Sequence, residues 1–461
     1  MIPTASEIAK QTWLASGMPA TALSRLILPV SEPALPSSFG VSEAVQATIG
    51  CAALAATEVG AARGLPAQAV SVEMADAERE CTGYFMLDGK VPDAWAPLSG
   101  LYPCADGFVR IHANFEHHRD GVLRLLGLDA DPASVTKDDV TASLGAWRAV
   151  DFETRAADAG MVVSALRTFD EWDALPQSAA VLSAPLVSIE KIGEAPPRNF
   201  TGSAAGGPLE GIRVLDLTRI LAGPVAGRTL AAYGADVMLV NSPRLPNIEH
   251  IVDTSRGKRS CLVDLDVAEG VARLDELARN ARVFVQGYRP GGLDARGFSA
   301  AALSERVPGL VYVSLSAYGP NGPWSSRRGF DSLVQTATGF NHAEGEAAGA
   351  GQPRALPIQA LDYASGFLMA YGACVALHRQ STLGGSYHVR VSLARTAAWL
   401  RRLGRRPFPA GRSDLQLESH AEDYPSGFGA LRAIPHAAKL GGTRAHWRRP
   451  SSPPGTDAPQ W

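Results

Sequence analysis

The chain has 461 residues, of which 46% are hydrophobic and 19% are charged, and its formal net charge is −3 at pH 7. This length allows two or three domains with a sizeable core, and this composition is ordinary for a soluble enzyme. The nearly balanced charge gives no reason to expect nucleic acid as a partner. We find no apolar run of about 18 residues, so we expect no membrane partner either.

The cysteines and the N-terminus predict a cytoplasmic protein. The five cysteines are widely spread and form no CxxC pair or Cys/His ligand spacing: Cys51, Cys81, Cys104, Cys261 and Cys374. We therefore expect reduced thiols and no metal site. Residues 1–17 lack the charged-then-apolar pattern of a signal peptide.

Taken in chain order, residues 1–94 predict a segment of helices and strands. Residues 1–40 begin polar and become Pro-rich, which predicts a helix followed by irregular chain. Residues 42–60 are Ala-rich with a helical pattern, and residues 68–74 alternate like a strand.

This helix–strand order recurs at residues 364–393. Val-Ser-Val-Glu-Met-Ala at 70–75 resembles Val-Arg-Val-Ser-Leu-Ala at 389–394, which we interpret as a weak internal repeat. The first copy has no acid matching Asp362, whose counterpart falls near Phe39 and Gly40. Residues 1–94 therefore resemble the second part of a larger domain.

Residues 95–195 predict a smaller α/β domain. Within 101–111, Asp106-Gly107 indicates a turn that enters a strand. Charged helices are expected near 116–127 and 145–160. Residues 196–208, rich in Pro, Gly, Ser and Ala, predict a linker.

From residue 209 strands and helices alternate. The predicted strands and helices, in order, are the strand 212–217, the helix 222–233, the strands 237–240 and 260–265, the helix 268–279, and the strands 283–286 and 310–316. Such repeats predict an α/β fold with an open parallel sheet of βαβ units over residues 209–400. Residues 401–461 are Arg- and Pro-rich and predict an extended tail over another part of the protein or a partner subunit.

Asp362 lies where a Pro-led extended segment meets a long apolar helix. No charged residue occurs from Ala364 to Leu377, so the helix should be buried. A carboxylate at the start of a buried helix is costly to desolvate. Three roles remain open for it: a helix cap, an ion pair or catalysis.

The first strand–turn–helix does not fit a dinucleotide site. Its turn, residues 221–227, holds only Gly223 and Gly227, and the strand after the helix ends in Asn241-Ser242 rather than in an acid. Basic residues near other strand ends could instead bind a polyanionic ligand: Lys258, Arg259, Arg289 and Arg296.

A series of short motifs then follows in a fixed order between about 209 and 395. The motifs are Leu209-Glu-Gly-Ile-Arg-Val-Leu-Asp-Leu-Thr-Arg, Ala222-Gly-Pro, Tyr233-Gly-Ala-Asp-Val, Gly257-Lys-Arg-Ser, Tyr288-Arg-Pro-Gly-Gly-Leu, Tyr318-Gly, Gly322-Pro, Arg328-Gly-Phe-Asp and Leu361-Asp-Tyr. As a set they resemble the family III coenzyme A transferases, which include formyl-CoA transferase, the carnitine and bile-acid CoA transferases and α-methylacyl-CoA racemase. Residues 95–195 resemble the family's small domain, which here precedes the large one. The resemblance thus implies a rearranged or tandem-degenerate member.

The resemblance implies a CoA transferase (EC 2.8.3.-) in which Asp362 is the nucleophile, through an aspartyl mixed anhydride and an enzyme–CoA thioester. Coenzyme A would be a substrate, with no permanently bound cofactor, and the protein would be an interlocked homodimer. Asp331 would be a supporting acid. The implied contacts with coenzyme A are Ile220, Leu221, Lys258, Tyr288, Arg296 and Arg328.

Three departures from the family pattern leave alternatives. Asn241-Ser242 replaces the usual Glu-Arg, and the glycine-rich loop of the small domain has no clear counterpart near 97–101. Both motivate a catalytically silent CoA-binding subunit as one alternative. An acyl-CoA racemase or isomerase is another, although Phe330 stands where the racemases carry a histidine and cannot transfer a proton.

Overall fold

The computed structural model of the chain describes residues 2–198, 207–289, 291–409, 411 and 414–461. Its N-terminal part contains α1 (Ala5–Ala15), β1 (Leu26–Ile27), α2 (Val41–Ala62), β2 (Val70–Val72), α3 (Met74–Cys81) and β3 (Phe85–Leu87). The next part contains β4 (Gly100–Cys104), β5 (Gly107–Ile111), α4 (Glu116–Leu126), α5 (Lys137–Leu144), α6 (Ala149–Asp158), β6 (Val163–Ala165), α7 (Phe169–Asp173), α8 (Pro176–Leu182) and β7 (Ser188–Gly193).

The second half begins with β8 (Arg213–Leu217), α9 (Ala222–Ala232), β9 (Asp236–Asn241), α10 (Ile251–Thr254), β10 (Lys258–Leu262), α11 (Ala268–Arg279), β11 (Val283–Gln286), α12 (Ala300–Arg306) and β12 (Val311–Ser316). It continues with α13 (Asp331–Ala337), α14 (Phe340–Ala347), α15 (Ala360–Leu383), β13 (Ser386–Ser392) and α16 (Leu393–Arg402). The last elements are α17 (Leu417–His420), β14 (Glu422–Tyr424), β15 (Leu431–Ala433) and β16 (Ala438–Leu440).

A seven-stranded sheet is the centre of the fold, with the strand order β10-β9-β8-β11-β12-β13-β7. The strands β8 to β13 are parallel, and β7 runs antiparallel to β13 at the edge. The predicted α/β class with a mostly parallel sheet is therefore confirmed. Among the strands predicted from residue 209 onward, the largest difference is in β10, which spans Lys258–Leu262 rather than 260–265, so Lys258 belongs to the sheet and not to a loop.

Two long apolar helices, α2 and α15, form the core beside this sheet. By length and composition alone both are long and apolar enough to cross a membrane, although we expected no such apolar run. Both are mostly buried inside the chain. They share one hydrophobic core with α9 and the sheet. Residues 1–94 therefore pack into the same core as residues 209–403.

The strands of the two helix–strand repeats have the same kinds of neighbour. β13, which follows α15, lies between parallel β12 and antiparallel β7. β2, which follows α2, lies between parallel β1 and antiparallel β16. β7 precedes the second repeat in the chain, and β16 comes from the C-terminal end.

The smaller unit has its own core, built on the sheet β4-β5-β6, and that core ends at Ala165. From Trp172 onward the chain packs on the main core, earlier than the predicted boundary at 195. The predicted linker falls largely on residues 199–206, outside the described residues. The tail after Leu403 packs over the N-terminal part, where β15 pairs with β3 and β16 with β2.

Candidate active site

A cavity of about 300 Å³ opens where the parallel strands end. This edge of an open parallel sheet is where ligands bind. The strand ends and the helix starts of the main unit contribute Leu217, residues 219–222, Leu245, and residues 287–289, 315–317 and 327–330, together with Asp362 and Leu393. The smaller unit contributes Phe115, His117 and His118. The site is thus built from both units of one chain.

Asp362 is the one carboxylic acid among the residues that line this cavity. It is the third residue of α15, and 7% of it is exposed. Among the described residues, no hydrogen bond or ion pair engages its carboxylate. Burial raises the pKa of Asp362 well above its ordinary value, and the nearby charge of Asp331 raises it further.

Asp331 lies directly behind Asp362 and caps its helix. The Oδ2 atom of Asp331 accepts hydrogen bonds from the backbone N–H groups of Leu361 at 2.7 Å and Asp362 at 2.9 Å. The side-chain amide of Gln335 donates to the other oxygen. Asp362 itself makes no capping bond, so Asp331 fulfils the capping role that was open for Asp362. Burial raises the pKa of Asp331 as well.

Four helices begin around Asp362. Helices α9, α13, α15 and α16 start at Ala222, Asp331, Ala360 and Leu393. The N-terminus of each helix carries partial positive charge from its unpaired N–H groups. The first residues of α9 and α16, Ala222 and Leu393, line the cavity together with Asp362.

Gly366 brings α15 close to the start of α9. A Cβ atom at Gly366 would lie 2.6 Å from the carbonyl oxygen of Ala222 and 2.9 Å from Cβ of Val225. Residues four apart lie on one face of a helix, so Asp362 is on the same face as Gly366. The missing side chain thus places Asp362 beside the first turn of α9.

Ile220 and Leu221 form the turn that leads into α9, and both line the cavity. Ile220 has a φ of 77°, which is a strained conformation for a β-branched residue. Such strain persists where the surrounding structure holds it in place, and it is common at functional sites.

The other predicted contacts with coenzyme A divide into two groups. Arg328 and Tyr288 line the cavity, whereas Lys258 and Arg296 do not. The Nζ atom of Lys258 is fully buried and donates to Asp216 at 2.8 Å, away from the cavity, so its predicted contact with coenzyme A stays a prediction. Arg296 donates to Asp266 at 2.6 Å on the surface, also away from the cavity. Asp331 is buried behind the cavity wall.

The sequence reasoning missed the part of the wall that comes from the smaller unit. Phe115, His117 and His118 follow β5 and begin α4, which was predicted only as a charged helix. The adjacent histidines after a strand were a signal for a site. Arg219 was missed as well; its guanidinium lies 5.5 Å from the centre of the Phe115 ring.

Metal ligation has no support in the described part of the chain. No group of three or more His, Cys, Asp or Glu residues there could hold a metal ion.

Comparison with known proteins matches residues 209–403 to the family model described as CoA-transferase family III. An acyl-CoA transferase of Gibberella moniliformis (strain M3125 / FGSC 7600) is 31% identical over 316 residues, 64% of this chain and 55% of that protein. A probable fatty acyl-CoA transferase of Mycobacterium tuberculosis (strain ATCC 25618 / H37Rv) is 34% identical over 232 residues, 47% of this chain and 56% of that protein.

A crystal structure from M. tuberculosis is 34% identical to this chain with a TM-score of 0.39. The match covers 43% of this chain and 56% of the crystallised chain. The chain spans about half the length of the curated relatives it matches.

Proposed function

We propose that this chain, whose residues 209–403 belong to CoA-transferase family III, moves coenzyme A between an acyl-CoA and a free carboxylic acid. The observation that carries the proposal is the Asp362 carboxylate, unpaired among the described residues, at a cavity where four helices begin. The names of the matched relatives, both acyl-CoA transferases, agree with it.

The reaction needs one nucleophile from the protein, the carboxylate of Asp362, and no proton transfer. An oxygen of ionised Asp362 attacks the thioester carbonyl, the C–S bond breaks, and coenzyme A thiolate leaves behind an aspartyl mixed anhydride. The thiolate then attacks the Asp362 carbonyl carbon and releases the first acid as its carboxylate. The product of this half is an Asp362–CoA thioester.

The second half repeats these steps in reverse order. The carboxylate of the second acid attacks the Asp362 thioester and expels the thiolate, which forms a new mixed anhydride. The thiolate attacks the acyl carbonyl of that anhydride, and Asp362 leaves as a free carboxylate. Atoms and charge balance without an external oxidant or reductant.

The start of α9 supplies the groups that would stabilise each tetrahedral oxyanion. Pro224 has no N–H, and the N–H of Val225 already donates to Leu221 at 2.8 Å. The first-turn donors that remain are the N–H groups of Ala222 and Gly223, which Gly366 brings beside Asp362. Fixed donors at such a position are among the largest contributions to catalysis.

Arg219, Arg289 and Arg328 give the cavity a positive wall for the phosphates of coenzyme A. The same proposal includes contacts of coenzyme A with Ile220, Leu221 and Tyr288. A cytoplasmic location and a homodimer remain predictions, which cell fractionation and the mass in solution would test.

The direct test is the intact mass of the protein after exposure to a mixture of acyl-CoAs. We expect a covalent adduct that hydroxylamine traps at Asp362, and its loss in Asp362→Asn. The variant Asp170→Asn, an exposed acid on α7, serves as the control. A protein that binds coenzyme A without any adduct or turnover would be a silent binding subunit. Deuterium uptake at Cα without acyl exchange would indicate a racemase, which Phe330 in the cavity wall disfavours.

A further inference from the structure

A buried ion pair joins the strands β8 and β10 to the start of α9. The Nζ atom of Lys258 on β10 donates to Oδ2 of Asp216 on β8 at 2.8 Å. The same Nζ atom donates to the carbonyl oxygen of Pro224, the third residue of α9, at 2.9 Å. The side chains of Lys258 and Asp216 are both fully buried. The ion pair therefore holds the first turn of α9 through its backbone.

The other oxygen of Asp216 holds the chain on the opposite side of the turn. Its Oδ1 atom accepts hydrogen bonds from the backbone N–H of Thr218 at 3.0 Å and from the Thr218 hydroxyl at 2.5 Å. We call the side chains of Asp216, Thr218 and Lys258 the Asp216 network. Ile220, with its strained φ of 77°, lies between the two points that this network holds.

Two glycines leave room for the Asp216 network. A Cβ atom at Gly227 would lie 2.1 Å from Oδ2 of Asp216 and 2.9 Å from Nζ of Lys258. A Cβ atom at Gly223 would lie 2.4 Å from Cβ of Thr218. These are the glycines of the turn that does not fit a dinucleotide site, and the close approach of the network to α9 requires them instead.

Helix α9 begins without a side-chain cap. Its N-cap residue, Leu221, makes no side-chain capping bond. A capping side chain accepts from the N–H of the second or third helical residue, which here would be Gly223, because Pro224 has no N–H. The proposed reaction needs that N–H group for the oxyanion. The Asp216 network holds the same turn through a carbonyl oxygen, so it does not compete for the N–H group.

Stability alone does not explain a fully buried ion pair. The cost of desolvating two charges can exceed their attraction, and apolar residues in place of such a pair often leave stability unchanged or raise it. The position of this pair, between the end of β8 and the first turn of α9, indicates a role in geometry.

We propose that the Asp216 network positions the first turn of α9 for catalysis, so that the N–H groups of Ala222 and Gly223 face the intermediates formed on Asp362. Its members are positioning residues, because none of the three side chains lines the cavity. The inference rests on the proposed transferase function. A direct contact of Lys258 with coenzyme A is the alternative, and it would act on affinity rather than on kcat.

The test uses the full chain with two substitutions of Thr218. Thr218→Val removes only the hydroxyl group that bonds Asp216, and Thr218→Ser keeps it. The double variant Asp216→Asn/Lys258→Met removes both charges and so leaves no unpaired buried charge. Thr57→Val is the control, because it removes a buried hydroxyl group on α2 that bonds the carbonyl oxygen of Leu54.

Three measurements separate positioning from binding. Steady-state kinetics give kcat and KM, and calorimetry gives the affinity for coenzyme A. Hydrogen exchange of peptides covering residues 218–226 reports opening of the turn, because the N–H groups of Thr218 and Val225 are hydrogen-bonded there.

We expect Thr218→Val and the double variant to lower kcat about 10- to 100-fold, since a displacement of about 1 Å at a catalytic group has effects of this size. The affinity for coenzyme A should not change, and the peptides covering residues 218–226 should exchange faster. Thr218→Ser should retain most of the activity. Thr57→Val should change neither kcat nor the exchange of the turn.

The proposal is overturned if Thr218→Val leaves kcat and the exchange of the turn unchanged, or if Thr57→Val loses as much activity. Weaker binding of coenzyme A with kcat unchanged in the double variant overturns it as well and assigns Lys258 to the ligand. If the double variant does not fold, the comparison of Thr218→Val with Thr218→Ser decides alone.

Failure of the proposed function gives a different result. Absence of transfer from any acyl-CoA in the wild type would contradict the transferase reaction. In that case, faster exchange of residues 218–226 in Thr218→Val, but not in Thr57→Val, would still show that the Asp216 network holds the turn, and unchanged exchange would show that it does not.

Discussion

Asp331 accepts a hydrogen bond from the backbone N–H of Asp362 at 2.9 Å, so one buried acid caps the helix that carries the other. The bond fixes the start of α15 and hence the position of Asp362. The same closeness places two carboxylates in one buried region, where the charge of one raises the pKa of the other. Positioning and tuning of Asp362 thus depend on a single side chain.

Asp331→Asn should separate these two effects. Without the negative charge of Asp331 the pKa of Asp362 falls, so the fraction of ionised Asp362 at low pH rises. We expect the acidic limb of the kcat/KM profile to move towards lower pH. Glu344→Gln, a buried acid on α14 that hydrogen-bonds Ser38, is the control. An unmoved limb in Asp331→Asn would show that the two acids are not coupled.

Asp362→Asn should be more stable than the wild type at high pH. The pKa of Asp362 is raised in the folded chain, so its contribution to stability is complete below the unfolded pKa near 4 and is lost as pH rises through the folded pKa. Asparagine does not titrate. Relative to the wild type, we expect the free energy of unfolding of the variant to be more favourable at pH 8 than at pH 4. Chemical denaturation at both pH values measures the difference, and a constant difference would contradict the raised pKa.

Gly366→Ala should impair activity through the start of α9. The added methyl group clashes with Ala222 and must push α9 away from Asp362. We expect kcat to fall about 100-fold, the effect typical of losing an oxyanion donor. Gly372→Ala is a matched control, because its Cβ would lie 2.5 Å from Val389 but farther along α15 from Asp362. Equal activity losses in the two variants would indicate general destabilisation.

Lys258→Met tests the buried position of Lys258. The change leaves Asp216 buried without its cation, so we expect the free energy of unfolding to fall by about 3–5 kcal/mol. Arg259→Met, which removes a partly exposed ion pair with Asp236, should cost about 0–1 kcal/mol. Chemical denaturation measures both. A stable Lys258→Met protein that binds coenzyme A at least ten-fold more weakly would restore Lys258 to the binding site.

Local sequence pattern predicted the elements that depend on local chemistry. The strand at 283–286 and the helix at 268–279 were predicted with their observed bounds: the first is a short apolar run with β-branched residues, and the second has apolar residues at helical spacing. Helices α13 and α14 were not predicted. The start of α13 carries no cap signal, because Phe330 makes no side-chain cap bond. The side chain of Asp331 instead accepts a hydrogen bond from Leu361 at the start of α15.

Lys258 shows why contacts between distant segments escaped prediction. A lysine near a strand end is usually solvated, and only the fold brings Asp216, 42 positions earlier in the chain, within 2.8 Å of it. His118 and Arg328 are separated by 210 positions, and their pairing depends on how the smaller unit docks on the main unit.

The sequence by itself determined the parallel sheet, the buried helix α15 and the acid at its start, because periodicity and desolvation cost act on neighbouring residues. Only the tertiary structure decided which residues share the cavity, and that Asp331 rather than Asp362 caps the helix. These relationships join segments far apart in the sequence, and their energies depend on distances that no local pattern contains.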